Sequence, residues 1–261
     1  MNESPAVEAP GPGRETIPLY WWRDEPNFGD AMSPWIAGRI LESAVRWSAD
    51  AGTLVGLGSV LWAAKPGDVV WGSGLHPFSN RWWPSWSPVG VRFLAVRGPL
   101  TRDYVLARGG DCPAVYGDPG ELLAYFHTPR ATARHGVGII PHIHDAAGRR
   151  FAARRTDAAL IDPRHPWPEV VERIEACEVI WSSSLHGIIV AEAFGIPAIW
   201  TECGEGRLKY WDYYAGSGRA DAKPVAWSEA ATATPQPTPP RVPLESHPLV
   251  RAIRQWQAGG H

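Results

Sequence analysis

The residues with the clearest chemical potential lie in the segment Ser182–Trp200, SSSLHGIIVAEAFGIPAIW. An apolar run delivers three serines and then His186 to the first turn of a predicted helix, where free backbone N–H groups and the helix dipole attract an anion. Gly187 follows the histidine, and its lack of a side chain would let a ligand approach the backbone closely. The alternative is that the serines only cap the helix and that His186 is an interior residue with satisfied hydrogen bonds.

Two other strand-to-helix turns carry groups that could contact a ligand. In AVRGPLT, Arg97 stands at the carboxyl end of a predicted strand, where open α/β sheets bind ligands, and its guanidinium suits phosphate or carboxylate. In PNFGD, Asn27 and Asp30 flank Gly29 and could hold sugar hydroxyls or take a proton. A salt bridge would also explain Arg97, and a helix cap would also explain Asp30.

Weaker signals lie in three further places. PHIH puts His142 and His144 beside Asp145, a set that could ligate a metal, but such residues on a loop more often make hydrogen bonds, so we predict no metal site. The run KYWD, which contains Lys209, is expected on a solvated helix face. Some tryptophans could stack on sugar rings, although most should anchor the core or loops: Trp21, Trp22, Trp82, Trp83 and Trp86.

The elements that must position these groups alternate between strand and helix. Short apolar runs, several of them ending in glycine, alternate with segments of helical spacing, which predicts an α/β fold with parallel sheets. A polar break at HTPRATAR divides the pattern, so we predict two Rossmann-like halves with an interdomain cleft. The predicted units are a disordered tail (1–14), an N-terminal Rossmann-like domain (15–130), a C-terminal one (131–230), a Pro-rich linker (231–245) and a final helix (246–261) that packs back on the body.

Composition restricts the classes of function. The chain has 261 residues, 44% of them hydrophobic, and a net charge of −2, which predicts a globular protein without the basic field that nucleic acid requires. Its three cysteines lack CxxC spacing, which favours a reducing compartment. We see no signal peptide and no membrane span. The sequence therefore predicts a cytoplasmic protein with at most peripheral membrane contact.

A series of motifs in this chain resembles the polysaccharide pyruvyl transferase family. In order along the sequence, they are NFGD, GSG, VRGPLT, YGDP, IIPH, SSSLHG and AEAFGIPAI. The run KYWDYY is similar to the ending of the family's succinoglycan ketalase branch, and the resemblance covers about residues 18–215. It implies a GT-B-like arrangement and transfer of an enolpyruvyl unit from phosphoenolpyruvate to a sugar, usually closing a ketal across two hydroxyls. The implied partners are phosphoenolpyruvate, as donor substrate rather than cofactor, and a polysaccharide or lipid-linked oligosaccharide of exopolysaccharide synthesis.

One position departs from the family's pattern. Some members have arginine directly before Leu-His, where this chain has Ser184, so a phosphate contact is either missing or supplied from elsewhere.

This chemistry requires an acid for the donor methylene, a base for the sugar hydroxyl and cationic contacts for the anionic donor. Our hypothesis assigns acid or base catalysis to His186, the phosphate or carboxylate contact to Arg97, and orientation or deprotonation of the acceptor to Asp30. The predicted substrate-binding residues are Asn27, Gly29, Ser73, Ser183, Ser184, Gly187, His142 and Lys209.

Two other functions fit the same predicted cleft. One is a GT-B glycosyltransferase that uses a nucleotide sugar, and the other is a non-catalytic glycan-binding protein that uses tryptophans as platforms.

Overall fold

The computed structural model describes residues 16–76, 78, 84–128 and 136–259. The first five strands form one sheet, and we call the part of the chain built on it the N-terminal lobe. These strands are β1 (Ile17–Tyr20), β2 (Val45–Trp47), β3 (Leu54–Val55), β4 (Val69–Trp71) and β5 (Arg92–Ala95). All pair in parallel, in the order β2-β1-β3-β4-β5. The chain starts in the sheet interior and adds strands on both sides, which creates a crevice at the carboxyl ends of β1 and β3.

The second sheet repeats this topology and defines the C-terminal lobe. Its strands are β6 (Val137–Ile140), β7 (Ala158–Leu160), β8 (Val179–Ser182) and β9 (Ala198–Trp200). They pair in parallel in the order β7-β6-β8-β9, so the equivalent crevice lies at the carboxyl ends of β6 and β8. The predicted α/β fold with two halves, each built on a parallel sheet, is confirmed.

The helices follow the strands as the sequence pattern indicates. In the described residues they are α1 (Phe28–Leu41), α2 (Pro99–Leu106), α3 (Leu123–Phe126), α4 (Ala146–Ala152), α5 (Trp167–Glu175), α6 (Leu185–Ala193), α7 (Leu208–Gly216) and α8 (Pro248–Ala258). Helix α6 is buried from Leu185 to Glu192, because it lies between the second sheet and the 3₁₀ turn Pro119–Leu122 of the first lobe. The lobes therefore share one hydrophobic core, in which residues of both α1 and α6 take part.

The chain returns to the N-terminal lobe at its end. Helix α8 buries Leu249, Val250, Ile253 and Trp256, and the Trp71 indole of β4 donates a hydrogen bond to the Leu249 carbonyl at 2.8 Å. None of the helices among the described residues combines the length and the apolar character that a membrane span requires.

Some local predictions differ from the structure. The sequence pattern does not predict strand β2 or helix α4, and Val96 and Tyr116 form only an isolated bridge. The tail at 1–14, most of the predicted boundary at HTPRATAR, and both Trp82 and Trp83 lie outside the described residues.

Candidate active site between the two lobes

A cleft of about 480 Å³ lies where the carboxyl ends of the two sheets meet. Its polar lining comes from the loops after β1, β3 and β4 in one lobe and from those after β6, β8 and β9 in the other. The polar and charged residues of the lining are Glu25, Asn27, Asp30, Ser59, His76, His142, His144, Ser184, His186, Glu205 and Lys209.

Helix α6 delivers His186 to the cleft. Ser184 caps the helix, since its Oγ accepts a hydrogen bond from the Gly187 N–H at 3.4 Å, and the His186 side chain is 10% exposed in the cleft wall. The reason predicted for Gly187 is wrong. A Cβ there would lie 2.5 Å from the Ser182 Oγ and 3.2 Å from Ile140, so the glycine permits close packing of helix on strand rather than access for a ligand.

Helix α1 brings a carboxyl group to the same cleft. Asn27 caps this helix, its Oδ1 accepting a hydrogen bond from the Gly29 N–H at 3.0 Å, and Asp30 lies in the first turn. Burial raises the pKa of Asp30 to about 6, although the charges of His186 and Lys209 oppose the rise. Gly29 makes room for the histidine, because a Cβ at this position would lie 2.0 Å from the His186 Nδ1.

Arg97 lies beneath the cleft and does not open on it. Its guanidinium is fully buried and donates hydrogen bonds to the Ser59 Oγ at 2.8 Å and the Leu75 carbonyl at 2.7 Å. Its Nε lies 3.4 Å from Oδ2 of Asp212, which also accepts a hydrogen bond from the Thr101 hydroxyl at 2.6 Å. The structure therefore places Arg97 in a buried ion pair and not in contact with the space for a ligand. Of the two interpretations of Arg97, a ligand contact and a salt bridge, this geometry agrees with the salt bridge.

Helix α7 connects the lobes and is not a solvated helix. Asp212 binds the N-terminal lobe, whereas Tyr210 stacks on Trp200 of β9 at 4.8 Å and donates a hydrogen bond to the Ser183 carbonyl at 2.5 Å. Lys209, between them in sequence, is buried and lines the cleft. The predicted solvated face for KYWD is wrong for Lys209, Tyr210 and Asp212, which are buried.

Lys209 forms a compact polar group with residues of the C-terminal lobe. Its Nζ lies 3.1 Å from the His142 Nε2, and the Glu205 carboxylate is 3.4 Å from the same nitrogen and 3.9 Å from Nζ. Burial lowers the pKa of Lys209, and burial together with the Lys209 charge lowers the pKa of His142 to about 2. Burial and the charges of Lys209 and Arg97 lower the pKa of His76 to about 4.

Two of the predicted binding serines are structural. Ser73 is buried and donates a hydrogen bond to the Gly58 carbonyl at 3.0 Å. Ser183 is buried, donates to the Asp145 carboxylate at 2.6 Å and accepts from the His142 N–H at 2.9 Å. Neither lines the cleft.

The alternative of a metal site at PHIH does not match the geometry. The Asp145 carboxylate is engaged by the Gly148 N–H at 2.7 Å, the Ser183 hydroxyl at 2.6 Å and the Trp227 indole at 3.1 Å. In the part of the chain that the structure describes, no group of three or more His, Cys, Asp or Glu is arranged to hold a metal ion.

Sequence reasoning missed His76, Glu205 and Asp118. Asp118 is completely buried and its Oδ2 lies 3.7 Å from the His186 Nε2. The available signal was its position in a motif of the resemblance. His76 and Glu205 follow β4 and β9, so the rule that carboxyl ends of parallel strands meet would have pointed to them.

These features define a two-lobed α/β protein whose interlobe cleft presents a histidine, a carboxyl group of raised pKa and a buried lysine. The sequence profile of the polysaccharide pyruvyl transferase family matches residues 56–204, more than half of the chain, and the chain belongs to that family.

The chain is also similar to individual proteins. The chain is 31% identical over 193 residues to the succinoglycan biosynthesis protein ExoV of Rhizobium meliloti (strain 1021). This alignment covers 70% of the chain and 58% of ExoV. It therefore spans less than two thirds of the length of that relative. An uncharacterized protein of Acanthamoeba polyphaga mimivirus is 27% identical over 222 residues, covering 78% of this chain and 76% of the viral protein. A crystal structure of a functionally uncharacterized protein from Klebsiella pneumoniae aligns with a TM-score of 0.47 at 11% identity, over 78% of this chain and 88% of that one.

Proposed function

We propose that this protein transfers a pyruvyl group from phosphoenolpyruvate to two hydroxyls of a saccharide and releases phosphate. The observation that carries the proposal is the convergence, in one cleft, of Lys209 and the first turn of α6 with Asp30 and His186. The lysine and the helix N-terminus suit an anionic donor, and the other two groups suit proton transfer.

The donor's charge would be held by the C-terminal lobe. Lys209 is the one Lys or Arg side chain among the described residues that line the cleft. Since the chain has Ser184 where some relatives have arginine, Lys209 is our candidate for the missing cationic contact. The free N–H groups of the first turn of α6 would share the phosphate or carboxylate.

The proton transfers would run between the other two groups. His186 protonates the methylene carbon of the donor, which makes the adjacent carbon electrophilic, and Asp30 takes the proton of the attacking hydroxyl. Phosphate leaves as the second hydroxyl attacks the same carbon. The two acceptor hydroxyls release two protons. One replaces the proton that His186 gave to the methylene carbon, and the other leaves with phosphate. A base with a pKa of about 6 is suited to this task near neutral pH.

The acceptor would occupy the remainder of the cleft beside Asp30. Trp22 and Trp62 line that part and contact each other edge to face, with ring centroids 6.2 Å apart. Such rings can stack on the apolar face of a sugar. We propose a polysaccharide or a lipid-linked oligosaccharide as acceptor, with the protein working in the cytoplasm and contacting membranes only peripherally.

Phosphate release from phosphoenolpyruvate in the presence of candidate saccharides tests this function. We expect His186→Ala to lower the rate by about 10²–10⁴-fold. The exposed carboxylate of Asp103 supplies the control, and Asp103→Asn should keep the wild-type rate. Turnover of a nucleotide sugar instead would indicate a glycosyltransferase, and saccharide binding without turnover of either donor would indicate a glycan-binding protein.

A further inference from the structure

The buried carboxylate of Asp118 faces the imidazole of His186 across the boundary between the lobes. Asp118 Oδ2 and His186 Nε2 are 3.7 Å apart, and neither atom has a hydrogen-bond partner among the described residues. Asp118 is completely buried and does not line the cleft. We propose that Asp118 is a positioning residue, which holds His186 through Nε2 and stabilises the protonated imidazole during proton transfer.

Burial favours this pairing. An acceptor and a donor that are both enclosed and unpaired are costly, and each here is the kind of group that satisfies the other. When the imidazole takes up a proton, Asp118 supplies a buried negative charge that stabilises the imidazolium. A carboxylate on one ring nitrogen also fixes the tautomer at the other, which decides which nitrogen carries the exchangeable proton.

The Asp118 side chain is held rigidly enough to do this. Its Oδ1 accepts a hydrogen bond from the Gly120 N–H at 2.9 Å, and its own N–H donates to the Glu121 carboxylate at 3.0 Å. The turn is packed on Gly72, where a Cβ would lie 2.5 Å from Pro119. These contacts leave only Oδ2 free to face the imidazole.

The other ring nitrogen lies on the side of α1. A Cβ on Gly29 would come within 2.0 Å of Nδ1, so this nitrogen lies against the helix turn that carries Asp30. Asp118 therefore lies on one side of the His186 ring and the turn that carries Asp30 lies on the other. Because His186 is the proton donor of the proposed reaction, this inference rests on the proposed function.

The test is a double-mutant cycle on purified full-length protein, with Asp118→Asn and His186→Ala. Asparagine keeps the Oδ1 acceptor for Gly120 and replaces the charged Oδ2 acceptor by an uncharged NH2 group. Asp103→Asn, which makes the same change at an exposed position, is the matched control. We expect Asp118→Asn to lower kcat by about 10²–10⁴-fold with the KM for phosphoenolpyruvate unchanged. In the His186→Ala background the same substitution should change the residual rate by less than about twofold. Asp103→Asn should keep the wild-type rate.

Unfolding midpoints are also measured for the four proteins of the cycle, which are the wild type, the two single variants and the double variant. They test the pairing without depending on activity. Asp118→Asn should shift the unfolding midpoint by one amount in the wild-type background and by a different amount in the His186→Ala background, because the two side chains interact. Equal shifts in both backgrounds, or a full rate for Asp118→Asn, would overturn the role of Asp118. If wild-type protein did not turn over phosphoenolpyruvate while the midpoints remained coupled, the proposed function would fail and the pairing would stand.

Discussion

Replacement of Asp30 by asparagine should make the protein more stable and less active. Burial raises the pKa of Asp30 from 3.8 to about 6, so the folded state binds this proton more tightly than the unfolded chain does. Protonation of the Asp30 carboxyl therefore contributes to the free energy of unfolding. This contribution is fully present below pH 3.8 and is lost as the pH rises to about 6. Since one pKa unit is worth about 1.4 kcal/mol, the ionised carboxylate costs the folded state about 3 kcal/mol above pH 6.

Asparagine removes this cost without changing the size of the side chain. At pH 8 we expect Asp30→Asn to raise the unfolding free energy by about 3 kcal/mol, which corresponds to a rise in Tm of roughly 6–12 °C. At pH 3.5 the gain should vanish. Urea unfolding at both pH values measures the effect, and phosphate release measures the expected loss of activity.

A surface variant separates this effect from a general change in net charge. Asp103→Asn removes the same charge from an exposed position and should alter stability by less than about 0.5 kcal/mol at either pH. If Asp30→Asn gave no gain at pH 8, or the same gain at pH 3.5, the carboxylate would not carry the burial cost that we ascribe to it.

Three further predictions concern residues around the cleft. Lys209→Met should weaken phosphoenolpyruvate binding by about 10–150-fold in calorimetry, the equivalent of one charge-assisted hydrogen bond of about 1.5–3 kcal/mol, whereas Lys209→Arg should recover part of it. Gly29→Ala should displace the His186 ring and lower kcat, because its Cβ would lie 2.0 Å from Nδ1; a full rate would contradict the packing. Arg97→Met should lower the unfolding free energy by about 3–5 kcal/mol, since it leaves Asp212 buried without its cation, and a loss confined to phosphoenolpyruvate affinity would instead restore Arg97 as a ligand contact.

The fold was largely predictable because its signals are local. The alternation of apolar runs and helical spacing indicates parallel sheets, and the segment Phe28–Leu41, which has apolar residues at helical spacing, forms α1. Strand β2 was missed because Val45–Trp47 offers only two apolar residues around an arginine. Helix α4 was missed because its arginine-rich sequence has no clear apolar face, and it is fixed by the Asp145 cap.

The site was predictable only where motifs coincide with strand ends. His186 and Asp30 both reach the cleft because each lies in the first turn of a helix that follows a strand. The burial of Arg97 depends on Asp212, more than a hundred residues further along the chain, and no local pattern shows that contact. Lys209 reaches the cleft because α7 packs between both lobes, which also depends on contacts distant in sequence.

The proposed transfer is tested most directly by following phosphoenolpyruvate labelled with ¹³C in the methylene carbon. With a competent saccharide we expect NMR to show the label as a methyl group on a ketal carbon of the sugar, in a one-to-one ratio with released phosphate. Phosphate release that leaves every candidate saccharide unlabelled, or label that stays in phosphoenolpyruvate while a nucleotide sugar is consumed, would contradict the account.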